Sequence, residues 1–179
     1  MASLTRAAAT AAVLMCLPTG ADALQDSGAE RAYLRAVARH FQMSESEVSI
    51  LAHWDLPTEE IPVALFLAGR AGVSAEALVA LRESGRTWTS LASTYNVGAN
   101  ALHVPLRDPT SAGSLSGLYE RFRDTPVGEW GAIRLGESEI VALVNVRVLS
   151  DALGVSPDDI ARRTGAGTSF VELYAQLLR

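Results

Sequence analysis

The chain has 179 residues, 20 of them acidic and 15 basic, a net charge of −5, and a single cysteine, Cys16. One cysteine near the N-terminus leaves no disulfide framework, no Cys-ligated zinc and no thiolate nucleophile beyond it. Every basic residue is arginine, which also excludes chemistry that depends on a Schiff-base or P-loop lysine.

Residues 1–23 read as an export signal. Arg6 precedes an apolar run over residues 7–18, and Ala21 and Ala23 place small side chains at −3 and −1 of a cleavage point after Ala23. The run is too short for a transmembrane helix, which needs about 20 apolar residues. No later segment is apolar enough to cross a membrane, so no transmembrane segment is expected after cleavage, and the mature chain is expected in the periplasm or outside the cell.

From residue 24 on, helix signals dominate. Ser44 with Glu47 fits a capping box, as does Ser169 with Glu172. Ser156-Pro157-Asp158-Asp159 fits the same box with Asp159 at the third helical position, and adds proline at the first, where no amide is needed. Thr58-Glu59-Glu60 and Thr87 read as further starts, and Gly72, Gly85, Gly98, Gly154 and Gly165-Ala166-Gly167 as stops. Residues 141–149 are rich in β-branched side chains, yet their apolar positions continue a helical face from Ile140 to Leu153, so they are expected as helix. The fold class is therefore all-α.

The units resemble one another. Residues 72–78 (GVSAEAL) align with 154–160 (GVSPDDI) at an offset of 82, and the pairing continues through Gly85 on Gly167, Thr87 on Ser169, Trp88 on Phe170 and Leu91 on Leu173. Upstream, residues 56–61 (LPTEEI) match 135–140 (LGESEI), so the first helix of the later copy is the longer one, and residues 41–48 give a shorter third echo. Tandem helix-turn-helix repeats with one irregular insertion follow: repeat units over 24–103, an insertion over 104–136 with a short helix at 115–123, and a last unit over 137–179. With LVNVRVLSDALGVSPDDI and SFVEL in the last unit and VALFLAGRAGVSAEALVALRESGRTW in the first, the chain resembles uncharacterised exported bacterial proteins with tandem hydrophobic-Ser-Pro-acid-acid helical units. That resemblance implies export and helical hairpins, and carries over no catalytic residue.

Residues 87–102 (TWTSLASTYNVGANAL) resemble a DNA-binding helix-turn-helix. Asn96 stands where glycine is usual, Pro105 cuts the second helix short, and Gly98, Ala99, Asn100 and His103 offer no arginine to a base or phosphate. In an acidic exported chain the expectation is a packing unit, with no nucleic-acid partner. His40, His53 and His103 share no metal-ligand spacing, and the acidic pairs Glu59/Glu60 and Asp158/Asp159 fall where first helical turns favour negative charge. Neither a metal nor any cofactor is called for.

The insertion differs. It holds Pro105, Pro109 and Pro126, a short helix with Arg121 and Arg123, and Trp130 between Gly128 and Gly131. Loops carry function more often than the elements they join, and Arg and Trp are enriched at binding hot spots. Arg121, Arg123 and Trp130 are thus the candidate partner-binding residues; the competing reading makes Trp130 a plug between the halves. The sequence points to a non-enzymatic helical interaction or scaffold module for a protein or peptide. Its alternatives are an enzyme or small-ligand binder built around Trp130 and, last, a helix-turn-helix DNA binder.

Overall fold

The computed structural model describes residues 20–54, 56–165 and 167–178, with residues 20–27 as backbone only. The expected signal lies outside these residues except for its last four, which open the first helix. Every regular element among the described residues is a helix.

α1 (Gly20–His40) leads through a tight turn to α2 (Glu45–Ala52). The Ser44 capping box forms as expected: the Ser44 hydroxyl accepts from the Glu47 amide at 3.2 Å, and the Glu47 carboxylate accepts from the Ser44 amide at 2.9 Å. Thr58 does not cap the next helix. A 3-10 turn over Thr58–Glu60 comes first, and the Thr58 hydroxyl donates to Glu30 of α1 instead.

α3 (Ile61–Ala71) is buried from Ile61 through Ala68, apolar all round its axis, as a central helix must be. α8 (Glu137–Leu153) packs against it and is its counterpart, buried at Ile140, residues 142–146, Val148 and Leu149. The β-branched stretch at 141–149 is thus helix, because central burial outweighs its modest helix propensity. α3 leads to α4 (Ala75–Glu83), α5 (Trp88–Thr94) and the short α6 (Ala99–Leu102). α8 leads to α9 (Pro157–Ala161) and α10 (Phe170–Leu177).

Positions paired at the offset of 82 share backbone features. Gly72 and Gly154 both end their helices in the left-handed region, at φ 69° and 64°, and Gly85 and Gly167 lie there too, at 93° and 77°. Ser74 and Ser156, like Thr87 and Ser169, are N-caps. Two local expectations need correction. Gly98 is not a stop: it precedes α6 at φ −78°, and a Cβ there would sit 2.8 Å from the Gly131 carbonyl, so the close approach demands glycine. The box at Ser156 does not close on Asp159. Ser156 accepts from the Asp158 amide, while Asp159 turns to Arg162 at 2.6 Å.

The two halves interlock by exchanging caps. The first amides of α5, on Trp88 and Thr89, donate to the Glu137 carboxylate of α8 at 2.9 and 2.6 Å. The first amides of α10, on Phe170 and Val171, donate to Glu59, which lies just ahead of α3. Helix N-termini hold unsatisfied donors and positive potential, so each carboxylate both caps and neutralises. α1 adds a second link. It packs against α8 and α10 and buries Tyr33, Ala36 and Val37, and the Tyr33 hydroxyl donates to Asn145, whose amide donates to the carbonyls of Glu59 and Val141 at 2.9 and 2.8 Å. One buried apolar cluster runs from α1 to α10, so the sequence units share a single core.

Candidate functional site

The insertion is built mainly inward. It contains 3-10 turns at Pro109–Ser111, Gly113–Leu115 and Val127–Ala132 around α7 (Ser116–Asp124), which buries Leu118, Tyr119 and Phe122. Its start is clasped to the turn after α9: the Ser114 amide and hydroxyl both reach Thr164 Oγ1, at 3.1 and 2.8 Å, and a Cβ on Gly113 would collide with the Ala161 and Thr164 carbonyls. The Asp108 amide donates to Asp158 at 2.8 Å. Hydrogen bonds hold the Asp158 carboxyl below its ordinary range despite the opposing pull of desolvation.

The three sequence candidates fare differently. Trp130 is half-buried, its ring 4.5 Å from His103 and 4.9 Å from Phe122 by centroids, and its indole N–H is shared by the Phe122 and Thr125 carbonyls at 2.9 and 3.0 Å. Its polar end is therefore spent on the end of α7. Arg121 reaches the Arg134 carbonyl at 2.6 Å and pairs with Glu139, which itself caps Gly136 at 2.8 Å, so it ties α7 to the start of α8. Arg123 remains in solvent and, among the described residues, pairs only with its neighbour Asp124. The structure does not gather the three into one patch of free side chains.

His103 belongs to the same aromatic cluster. Burial, and then the nearby Arg147 charge, hold its imidazole below the usual histidine value, which favours the neutral form. Arg147 donates to the Leu102 and His103 carbonyls at 3.2 and 2.9 Å, closing the end of α6, and lies 4.8 Å over the Phe66 ring. His40 pairs with Asp151 at 2.7 Å and His53 contacts the Ser49 carbonyl at 2.5 Å. Among the described residues no group of three His, Cys, Asp or Glu side chains could hold a metal ion.

α6, the would-be recognition helix, is only four residues long and packs against the Val127–Ala132 turn. Asn96 makes the turn before it in the left-handed region, at φ 60°. Beside that turn opens a groove of about 540 Å³. Ala92, Val97, Ala99, Leu135 and Ile140 give it apolar walls, and Ser93, Asn96 and Arg134 its polar edge. Arg134 is exposed and is the groove's one formal charge; it makes no ion pair among the described residues. The sequence marked Asn96 only as the residue of the turn and did not single out Ser93 or Arg134, because polar residues beside a turn look like ordinary surface.

A second polar cluster is fully engaged. Glu60 takes both Arg82 Nε and Nη2, at 2.9 and 3.1 Å, and the Trp88 indole N–H at 2.7 Å. Desolvation raises the Glu137 carboxyl, but the Thr89 and Trp88 amides and the Arg82 charge outweigh it and hold the group below its ordinary value.

Comparison with protein-family models, with curated proteins and with solved structures found no match. The functional reading therefore rests on the geometry of this chain.

Proposed function

We propose that the protein is a non-enzymatic helical binding module that acts after export, built from two copies of one unit and holding a segment of a partner protein in the groove between α5–α6 and residues 131–135. The groove carries this reading. Its volume falls within the range of about 300–1,000 Å³ typical of binding sites, and it joins apolar walls to a few polar groups, the usual composition of such sites. Its lining has hydroxyls, an amide and a guanidinium but no carboxylate, imidazole or thiol, which favours holding a partner over general acid–base chemistry. A short α6 covered by the insertion favours packing over reading DNA, and no helix among the described residues is long and apolar enough to cross a membrane.

Photo-crosslinking tests the site. A benzophenone amino acid at Ala132, on the groove, should trap a partner from the exported fraction, whereas the same probe at Ser46, exposed on α2, should not. Equal trapping at both positions, or at Ser46 alone, would place the surface elsewhere. N-terminal sequencing of the recovered protein should begin at Leu24; an intact Met1 would refute export with cleavage.

A further inference from the structure

We infer that His103 is a pH-sensitive pin: while neutral it closes the seam between α6 and the Val127–Ala132 turn, and once protonated it leaves its aromatic cluster and the seam opens. The inference goes beyond the proposed partner site and stands without it. The two are neighbours all the same, because Gly98 and Gly131, which meet across the seam, both line the groove.

His103 ends α6, and its imidazole lies among three rings. Trp130 of the turn is 4.5 Å away between centroids, and Phe122 and Tyr119 of α7 are at 4.7 and 5.7 Å. The turn packs on α6, so this ring joins the two sides of the seam to α7. It makes no hydrogen bond among the described residues. Half-buried as it is, water can deliver a proton to it but hydrates a charge there poorly.

The surrounding charges oppose protonation. From α8, Arg147 donates to the His103 carbonyl at 2.9 Å, and its own Nη1 is buried without a partner. No acid neutralises that guanidinium: the groups acting on it are Arg70 of α3, which shares the Phe66 ring with it, and Tyr119. Tyr119 of α7 donates to the Val104 carbonyl, and burial raises its phenol, which keeps it neutral. Glu120 of α7 and Glu129 of the turn are exposed, and α6 has no other titratable side chain. Burial first, and Arg147 second, therefore hold His103 below the ordinary 6.5, with no carboxylate to offset them. Attraction to the aromatic faces pulls the other way, but it leaves the Arg147 repulsion in place, whereas water would hydrate the imidazolium and screen it. The closed form is thus fully favoured above pH 6.5 and loses ground as pH falls through the depressed value.

The test follows two signals of the purified protein by NMR between pH 7 and 5: the His103 imidazole and the Trp130 indole N–H, which the Phe122 and Thr125 carbonyls hold. Exchange of that N–H, corrected for its intrinsic pH dependence, should quicken about tenfold or more, with the midpoint at which His103 takes its proton. The Trp88 indole N–H, held by Glu60, should stay protected throughout. In His103→Phe, which keeps a ring but cannot be protonated, Trp130 exchange should no longer respond to pH. His103→Gln serves the same purpose if the phenyl ring does not fit. Three results would overturn the pin. His103 could take its proton with Trp130 exchange unchanged, so that the cluster tolerates the charge. Trp130 exchange could quicken equally in both His103 variants, so that another group opens the seam. Or His103 could still be neutral at pH 5, so that the closed form never yields.

Discussion

α5 and α10 start from the same local instructions and end in different packing. Each follows a left-handed glycine and a hydroxyl N-cap, and each has its first amides closed by a glutamate from the other half. In α5 the first residue carries the bulk. Trp88 is fully buried and Ala92, one turn on, is small. In α10 the order is reversed: Phe170 is half-buried, and the buried large residue is Tyr174. Moving the bulk by one turn lets α10 receive α1, whereas Ala92 of α5, also buried, lines the groove. Local signals thus set where a helix begins and stops, while the placement of one large side chain decides what packs against its flank.

Single truncations break this comparison most directly. Trp88→Ala removes a fully buried indole, its contact with Glu60 and the ring beneath Arg82, and should cost about 3–5 kcal/mol in urea unfolding. Tyr174→Ala should cost nearly as much, on the order of 3 kcal/mol, since it empties the seat of Tyr33. Phe170→Ala, at a half-buried site, should cost only about 1–2 kcal/mol. The sequence pairing puts Trp88 and Phe170 at equivalent positions; equal losses at the two would mean equivalent burial and remove the shift of bulk by one turn.

The exchanged caps sharpen the comparison at an intermediate scale. Glu137 uses both oxygens on the α5 amides and has Arg82 nearby at 3.8 Å, whereas Glu59 serves α10 through one oxygen, its second amide at 3.4 Å. Glu137→Gln should therefore cost about 1–2 kcal/mol and Glu59→Gln about 1. Acid adds a signature for Glu137. Because its folded value lies below the ordinary 4.5, the unfolded chain binds the proton more readily, and stability falls as pH drops from about 4.5 through the depressed folded value. The Gln variant should lose less stability than wild type between pH 5 and 3; parallel curves would show that Glu137 is not a stabilising cap.

What was legible in the sequence follows the range of the interactions. Gly72, Gly154, Ser44, Thr87 and Ser169 act on residues within a turn of themselves, and each does what its type and position imply. Glu59 and Glu137 look like ordinary first-turn acids, because the amides they hold lie 111 and 49 residues away in sequence. Gly98 reads as a stop because only the fold brings Gly131 against it. Trp130, flanked by glycines, reads either as a partner anchor or as a plug between the halves until the Phe122 and Thr125 carbonyls are seen to take its N–H. The groove was hidden for a different reason: small residues such as Ala92 and Ala99 suggest close packing, and both are indeed buried where they line it.

The smallest expected effects separate two arginines that the sequence grouped together. Both stand in the last turn of α7, where positive charge suits the helix dipole, so the difference must come from what lies beyond the helix. Arg121 bridges to the Arg134 carbonyl and to Glu139, holding the edge of the groove against the start of α8; its side chain is 42% exposed, so solvent screens the pair. Arg123, at 63% exposure, meets only Asp124 beside it among the described residues. Arg121→Ala should cost about 0.5–1 kcal/mol, and Arg123→Ala should stay within about 0.5 kcal/mol of wild type. Their effect on the groove should differ more than their effect on stability. Losing Arg121 frees residues 131–135, so hydrogen exchange at the Arg134 and Leu135 amides should quicken, while Arg123→Ala leaves it unchanged. Equal exchange in the two variants would mean that the groove edge is held by the Trp130 cluster alone, and that Arg121 adds nothing to the side of the molecule that α1 does not cover.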